Sequence, residues 1–175
     1  PQTALPCVVK PNDCGSSVGV SIVSDRAALE AALSEAAKWG RRVLVEKKIV
    51  GRELTVGVLD GRALPPVEII PKSGFYDYRN RYQGTTLEIC PAEIPAEITS
   101  LVSSLSLRAF EVLRLDGYAR FDFILDANGT PWCLEANALP GMTPTSLLPQ
   151  EAAAVGISYP DLCERILLLS MRKKR

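Results

Sequence analysis

The sequence predicts an α+β fold in which antiparallel or mixed sheets are flanked by helices. Two observations carry this prediction. Residues 53–59 and 64–70 have the composition of strands and flank Asp60-Gly61, a dipeptide typical of tight hairpin turns. In residues 96–114, by contrast, the apolar side chains recur with the 3.6-residue period of a helix. Strands and helices are therefore mixed along the chain, and no internal repeat is present.

Four more strands follow from short apolar runs. Residues 7–10 and 18–23 predict two strands of a hairpin around a Gly/Ser-rich tip. Residues 43–45 predict a buried strand, and residues 85–89 another. Before the last of these, residues 71–85 form a polar, aromatic segment without periodicity, and loops of that length are usually functional.

Two further helices are predicted from their capping residues. The first begins after Ser24 or Asp25, either of which can accept a hydrogen bond from the first turn, and it ends near Lys38. The second begins with a capping box at residues 158–161 and runs over residues 162–171.

Composition excludes several classes of function. The 175 residues carry 20 basic and 20 acidic side chains and no histidine. Zero net charge argues against binding to nucleic acid or to a membrane surface, and the missing histidines exclude Ser-His-Asp chemistry and His-ligated zinc. The five cysteines form no C-x-x-C pair, which favours reduced thiols and a cytoplasmic location. The first residue is Pro1, so we expect the chain to begin inside a larger protein.

Residues 118–125 and 130–135 predict a hairpin with an acidic pair on one face. If residues 128–129 form a two-residue turn, Asp122 lies directly opposite Glu135. A four-residue turn also leaves both carboxylates on one face, one diagonal apart.

The same register places Arg120 opposite Asn137. Facing carboxylates repel unless a cation lies between them, and carboxylate and amide oxygens are ligands that Mg²⁺ prefers, usually together with phosphate oxygens. The alternative is a solvated polar face on which Arg120 neutralises one acid. We expect Cys133 and Leu134 to be buried, which favours the metal site.

A glycine loop supplies a candidate phosphate site. Gly15, Ser16 and Ser17 form the tip of the first hairpin, where backbone N–H groups and hydroxyls can bind an anion. Lys10 lies at the end of the preceding strand and can reach the same anion as a point charge. The segment lacks the Gly-Lys-Ser/Thr ending of a Walker A loop. The alternative is a plain Gly/Ser turn.

Together these motifs resemble those of D-alanine–D-alanine ligases, which belong to the ATP-grasp superfamily. The resemblance rests on residues 9–11, 15–19 and 75–78, on Arg120-x-Asp122, and on Leu134-Glu135-Ala136-Asn137-x-x-Pro140-Gly141-Met142-Thr143. It extends from about Val8 to Leu169. It implies an ATP-grasp fold, incomplete at the amino end. Residues 1–70 would be the remainder of the small subdomain, and residues 71–175 the carboxy-terminal catalytic subdomain.

The resemblance also implies a role for each matching residue. Lys10 would contact the ATP phosphates under the glycine loop, Glu46 the adenine amino group and Glu53 the ribose. The full set implied to bind ATP is Lys10, Gly15, Ser16, Ser17, Glu46, Lys47, Ile49, Glu53, Phe75, Arg81 and Leu134. The sequence departs from the family at Arg81, where lysine is usual, and at Lys48, where a bulky apolar residue is usual.

For catalysis, the implied ligands of two Mg²⁺ or Mn²⁺ ions are Asp122, Glu135 and Asn137. Arg120 and the backbone N–H of Gly141 would stabilise the oxyanion of the reaction, and Ser16 and Tyr82 would belong to a hydrogen-bonding network. Ser146 and the backbone of Leu147 would hold the carboxylate of the second substrate.

The implied activity is the ATP-dependent ligation of two D-alanines through an acyl phosphate, for peptidoglycan synthesis. The full-length protein would be a cytoplasmic homodimer that binds neither nucleic acid nor membrane. Two alternatives stay open: an isolated fragment that binds ATP and Mg²⁺ without ligating, and another ATP-grasp carboxylate–amine ligase.

Overall fold

The computed structural model describes residues 4–71 and 86–172. They divide into two compact units, which we describe separately. The first contains the described residues up to Ile49 together with Pro71 and Thr86, and the second contains Val50–Ile70 and the described residues from Leu87 onward. The compact units thus change at residue 50, whereas the subdomain division after residue 70 stays a prediction. Within the described ranges, no helix is both long and apolar enough to span a membrane.

A three-stranded antiparallel sheet and one helix make up the first unit. In chain order the elements are β1 (Cys7–Pro11), β2 (Ser21–Val23), α1 (Arg26–Ala37) and β3 (Val43–Lys47), and the sheet order is β2-β1-β3. Helix α1 begins as predicted, because the Asp25 carboxylate accepts a hydrogen bond from the backbone N–H of Ala28. Its buried face, Ala32 and Ala36, packs against β1 and β2.

Strand β3 is less buried than the sequence predicted. Leu44 is 37% exposed, whereas Val43 and Val45 pack against the core of the first unit. Successive side chains of a strand point to opposite faces, and α1 covers only one face of this sheet. The apolar run at residues 43–45 therefore predicted a buried Leu44, whereas this residue is exposed.

The second unit is built around a larger sheet. Its elements are β4 (Gly51–Leu59), β5 (Arg62–Ala63), β6 (Val67–Pro71), β7 (Thr86–Ile89), α2 (Ala96–Val112), β8 (Tyr118–Asp126), β9 (Pro131–Asn137), α3 (Leu147–Ala154) and α4 (Tyr159–Met171). The described strands follow the order β7-β6-β4-β8-β9, and β5 pairs with β4. The hairpin turn predicted at Asp60-Gly61 is confirmed, since both residues have the positive φ that such a turn requires.

Different helices pack on the two faces of this sheet. Helix α2 packs on the apolar face, where Val56 and Phe121 are neighbours across β4 and β8. On the opposite face, α3 and α4 pack around Leu59 and Leu148 at one end of the sheet. The rest of that face carries the polar residues described below.

The sequence did not predict helix α3. Five of its eight residues are buried, so its apolar side chains are not confined to one face and show no amphipathic period. In addition, Pro149 lies within its first turn. Helix α4 begins with the predicted capping box, in which the Ser158 hydroxyl accepts from the backbone N–H of Asp161. It starts at Tyr159, three residues earlier than predicted.

The β8–β9 hairpin has the predicted register at the acidic pair, but for a different reason. Asp126 pairs with Thr130 around a three-residue turn that ends in Gly129, so the predicted two-residue turn is wrong. This turn shifts the pairing by one residue. An irregularity in β9, where Leu134 is the extra residue, restores the offset before Glu135.

Candidate functional site

Two rows of polar residues cross three neighbouring strands on one face of the larger sheet. In each row the residues are direct cross-strand partners, and the two rows lie two residues apart along every strand. The first row, from β4 to β9, is Thr55, Asp122 and Glu135, and the second is Gly57, Arg120 and Asn137. We call these six positions the polar face. The predicted pairings of Asp122 with Glu135 and of Arg120 with Asn137 are therefore confirmed.

Asp122 lies at the centre of the hydrogen bonds on the polar face. Its Oδ1 accepts from the Thr55 hydroxyl at 2.6 Å and from Arg120 Nε at 2.9 Å. Its Oδ2 accepts from Arg120 Nη2 at 2.9 Å and from the Asn137 amide at 3.0 Å. The bidentate pair with Arg120 fixes the carboxylate in one orientation.

Arg120 is the positive charge of the polar face and is only 7% exposed. Burial alone would lower the pKa of its guanidinium. The hydrogen bonds to Asp122 and the charges of Asp122, Glu151 and Glu135 outweigh burial and raise this pKa. Arg120 therefore stays charged and holds the neighbouring acids together.

Glu135 and Asn137 form the more open side of the polar face. The Asn137 amide donates to Glu135 Oε1 at 3.3 Å as well as to Asp122, so a single amide group bridges the two carboxylates. Cys133 and Leu134, which we expected to be buried, are exposed because β9 is the last described strand of the sheet. The acidic pair is thus open to solvent on the β9 side.

The donor set suits a hard divalent cation that also binds phosphate. Two carboxylates and one amide oxygen are the oxygen ligands that Mg²⁺ takes, and the ion normally completes its octahedron with water and phosphate oxygens. Residues 4–71 and 86–172 contain no cluster of three or more Cys, Asp or Glu side chains that could hold a metal ion by themselves. The remaining ligands of a cation held by the two carboxylates would therefore come from the Asn137 amide oxygen, water or phosphate.

Sequence reasoning missed a buried acid beside the polar face, Glu151 of α3. It is fully buried, and its Oε1 accepts from the backbone N–H of Gly57 at 2.7 Å. Burial is the main cause that raises the pKa of this carboxyl well above its usual value, and Asp122 adds to the effect. The hydrogen bond from Gly57 and the charge of Arg120 act in the opposite direction. The one signal in the sequence is an acid within the apolar run of α3.

We expect Glu151→Gln to reduce the loss of stability that the protein suffers as pH rises. Because the pKa of Glu151 is higher in the folded than in the unfolded chain, the folded protein binds more protons above pH 4.5, and its free energy of unfolding falls as pH rises. Glutamine keeps the acceptor for Gly57 but cannot ionise. In urea unfolding at pH 5 and pH 8, the variant should gain stability relative to the wild type at pH 8. Parallel pH profiles would contradict the assignment.

The predicted nucleotide residues of the first unit lie on or beside its sheet. Lys10 of β1 and Glu46 of β3 form an ion pair, with Nζ and Oε2 2.7 Å apart. The resemblance implied separate contacts for these two residues, with phosphate and adenine. Their pairing shows that both side chains occupy one face of this sheet. Lys47 is the last residue of β3, and Ile49 lies two residues beyond it.

The glycine loop has the backbone of a tight turn. Ser16 and Ser17 both have positive φ, and the N–H of Val18 donates to the carbonyl oxygen of Gly15 at 3.2 Å. Such consecutive turns can direct several N–H groups toward one side. Binding of phosphate by this loop stays a prediction.

Gly141 and Ser146 lie close together in the loop between β9 and α3. A Cβ on Gly141 would lie 3.1 Å from the Ser146 hydroxyl oxygen. That oxygen accepts from the backbone N–H of Thr143 at 3.0 Å, and Leu147 is the first residue of α3.

Glu53 of β4 lies on the same sheet face as Thr55 and Gly57. Phe75, Arg81 and Tyr82, also predicted to belong to the site, lie outside the described residues.

Comparison with known proteins gives one consistent result. Residues 1–168 match the family model described as "D-ala D-ala ligase C-terminus". A D-alanine–D-alanine ligase of Methylacidiphilum infernorum is 48% identical over 166 residues, which are 94% of this chain and 55% of that protein. The ligase of Pediococcus pentosaceus is 44% identical over 172 residues, 96% of this chain and 49% of that protein.

Solved structures agree with the sequence matches. The crystal structure of D-alanine–D-alanine ligase from Bacillus anthracis has a TM-score of 0.86 and 41% identity, and the match covers 98% of this chain and 56% of that one. A structure of the ligase from the same organism, complexed with ATP, has a TM-score of 0.84, 37% identity and coverage of 98% and 54%. The chain spans about half the length of the relatives that it matches.

Proposed function

Because the chain belongs to the D-alanine–D-alanine ligase family and matches its carboxy-terminal domain, we propose that it provides the ATP-binding and catalytic part of a ligase that joins two D-alanines. The observation that carries the proposal is the polar face, on which a buried arginine and two carboxylates lie side by side. Such a face could hold a cation at its carboxylates and offer the positive charge of Arg120 to a substrate. A reaction that activates a carboxylate with ATP needs both, because the cation neutralises the transferring phosphoryl group and the positive side chain stabilises the oxyanion that forms.

The proposed reaction has two steps. The carboxylate of one D-alanine attacks the γ-phosphate of ATP, ADP leaves, and an acyl phosphate forms. The amine of a second D-alanine then attacks the acyl carbon, and inorganic phosphate leaves as the peptide bond forms. Each step develops negative charge, on the phosphoryl oxygens in the first and on the acyl oxygen in the second.

We assign the residues of this chain to those charges. Asp122, Glu135 and Asn137 would hold two Mg²⁺ or Mn²⁺ ions, which neutralise the transferring phosphoryl group when bound. Arg120 and the backbone N–H of Gly141 would stabilise the oxyanion of the second step. Ser146 and the backbone of Leu147 would orient the second D-alanine through its carboxylate, which makes the attack effectively unimolecular. Ser16 and Tyr82 complete the proposed catalytic network.

The proposal also includes the nucleotide site and the setting of the whole protein. Lys10 and the glycine loop would bind the phosphates, and Glu46 and Glu53 the adenosine. We further propose a homodimer that acts in the cytoplasm and supplies a dipeptide for peptidoglycan synthesis. Support for the compartment comes from the five cysteines, all of them free thiols.

The half-length match to the relatives favours a second candidate, a domain that binds ATP and metal without ligating. Phosphate release distinguishes the two candidates. We expect this chain, extended by the amino-terminal half that the relatives have, to release phosphate from ATP when D-alanine and Mg²⁺ are added. The chain alone should release at least about tenfold less if the amino-terminal half of the relatives contributes contacts to the substrates, because remote binding contacts are used to lower the barrier of the reaction. Release that does not depend on D-alanine in the extended version would contradict ligation.

A further inference from the structure

The polar face has one position without a side chain, and a buried acid occupies it. Gly57 is the direct cross-strand partner of Arg120, so a side chain at residue 57 would lie beside the side chain of Arg120. A Cβ built on Gly57 would lie 2.5 Å from Glu151 Oε2. The Glu151 carboxyl thus occupies the space that the glycine leaves open and joins the polar face from helix α3.

One oxygen of this carboxyl has a structural role. On one edge, strand β4 pairs with β6 at residues 53–55 and with β5 at residues 58–59. The N–H of Gly57 lies in the gap between these two paired segments, where neither of these described strands supplies an acceptor for it. Glu151 Oε1 accepts from that N–H and closes the gap. A glutamine would do this equally well, so backbone pairing alone does not require a carboxylate.

The second oxygen is buried and, among the residues described, accepts no hydrogen bond. Buried polar atoms without a partner are rare in folded proteins, because their desolvation is not repaid. The charge of Arg120 acts to lower the pKa of Glu151, and the charge of Glu151 in turn contributes to the raised pKa of Arg120. In the described state, however, Arg120 donates from Nε and Nη2 to both oxygens of Asp122.

This arrangement conflicts with metal binding at Asp122. A divalent cation would take lone pairs of the carboxylate that Arg120 occupies, and it would repel the guanidinium. The released guanidinium would then be a buried charge without a counter-ion, which is strongly unfavourable unless another acid is in reach.

We propose that Glu151 is a positioning residue that accepts the Arg120 guanidinium when a divalent cation binds Asp122. This inference rests on the proposed function, since it assumes a cation at Asp122. Glu151 Oε2 is the acceptor, and Gly57 fixes the carboxyl through Oε1. The exchange keeps Arg120 charged and beside the metal, where the second step of the reaction needs it.

A double-mutant cycle tests the exchange without any metal. Asp122→Asn removes the charge that holds Arg120, so Glu151 should become its main partner. We expect Glu151→Gln to lower the folding equilibrium constant about tenfold more in the D122N background than in the wild type, as measured by urea unfolding at pH 7. Glu111→Gln, which removes an exposed carboxylate of α2, should have the same small effect in both backgrounds. An equal effect of E151Q in the two backgrounds would overturn the proposal.

Metal affinity supplies a second measurement, which does not depend on the folding of D122N/E151Q. With a non-hydrolysable ATP analogue present, E151Q should bind Mn²⁺ about tenfold more weakly than the wild type or E111Q in an EPR titration, because Arg120 keeps competing for Asp122. Equal affinities of E151Q and the wild type would also overturn the proposal. If D122N binds Mn²⁺ as well as the wild type does, the metal site of the proposed function is wrong, and the unfolding cycle still decides the role of Glu151.

Discussion

Asp122→Asn is expected to abolish Mg²⁺-dependent binding of ATP. Asp122 is the one carboxylate of the polar face whose two oxygens are both held in place, by Thr55, Arg120 and Asn137. Changes to the outer partners of metal ligands already cost 10- to 100-fold in affinity, so loss of a direct ligand should cost at least about 100-fold. The measurement is calorimetric titration with ATP in the presence of Mg²⁺, repeated in EDTA.

The effect should be confined to binding that requires the metal. Glu135→Gln should weaken ATP binding in Mg²⁺ in the same way, since Glu135 is the partner of Asp122 in the same row of the polar face. The control Glu111→Gln removes one negative charge from the exposed side of α2 and should leave the affinity unchanged. An unchanged affinity of D122N in Mg²⁺ would exclude Asp122 as a metal ligand.

How far the sequence predicts this fold depends on how local each signal is. Helices α1 and α4 could be predicted because their caps, Asp25 and Ser158, act within three residues of themselves. Helix α3 has no such signal. It is held by tertiary packing of Leu148 and Ala152 against the larger sheet, and the partners of that packing are remote in sequence.

The polar face shows the same limit. Alternation along β8 and β9 places Asp122 and Glu135 on one face if the turn between them has two or four residues, but a three-residue turn alone would place them on opposite faces. The exact pairing, however, came from an incorrect turn, and it holds because a three-residue turn and the extra residue Leu134 offset one another. A bulge of this kind leaves no local mark in composition.

Glu151 could not be placed from the sequence at all. Its contact with Gly57 joins residues 94 positions apart, and α3 itself was not predicted. A glycine inside a strand signals the close approach of another group, but it does not identify that group. The ion pair of Lys10 with Glu46 has the same origin, since only the pairing of β1 with β3 brings those side chains together.

Arg120→Ala is expected to abolish dipeptide formation and to leave the binding of ATP intact. Arg120 is the one described cation of the polar face, and its guanidinium is fixed by the two hydrogen bonds that it donates to Asp122. Loss of one donor to a reaction oxyanion costs about 10²- to 10³-fold in kcat, and here a full charge is lost as well. ATP affinity in Mg²⁺ should not fall, because the change frees both oxygens of Asp122 for the cation.

Arg120→Lys separates charge from geometry in the same experiment. Lysine keeps the positive charge but cannot donate two parallel hydrogen bonds to Asp122, so kcat should stay well below that of the wild type. The readout is the rate of dipeptide formation by the extended version, with ATP affinity measured on the same samples. Ligation by R120A at the wild-type rate would exclude Arg120 from the oxyanion site. Equal losses of ligation and ATP affinity would instead place Arg120 in the structure of the nucleotide site, because a group that acts only on the oxyanion cannot change the binding of ATP.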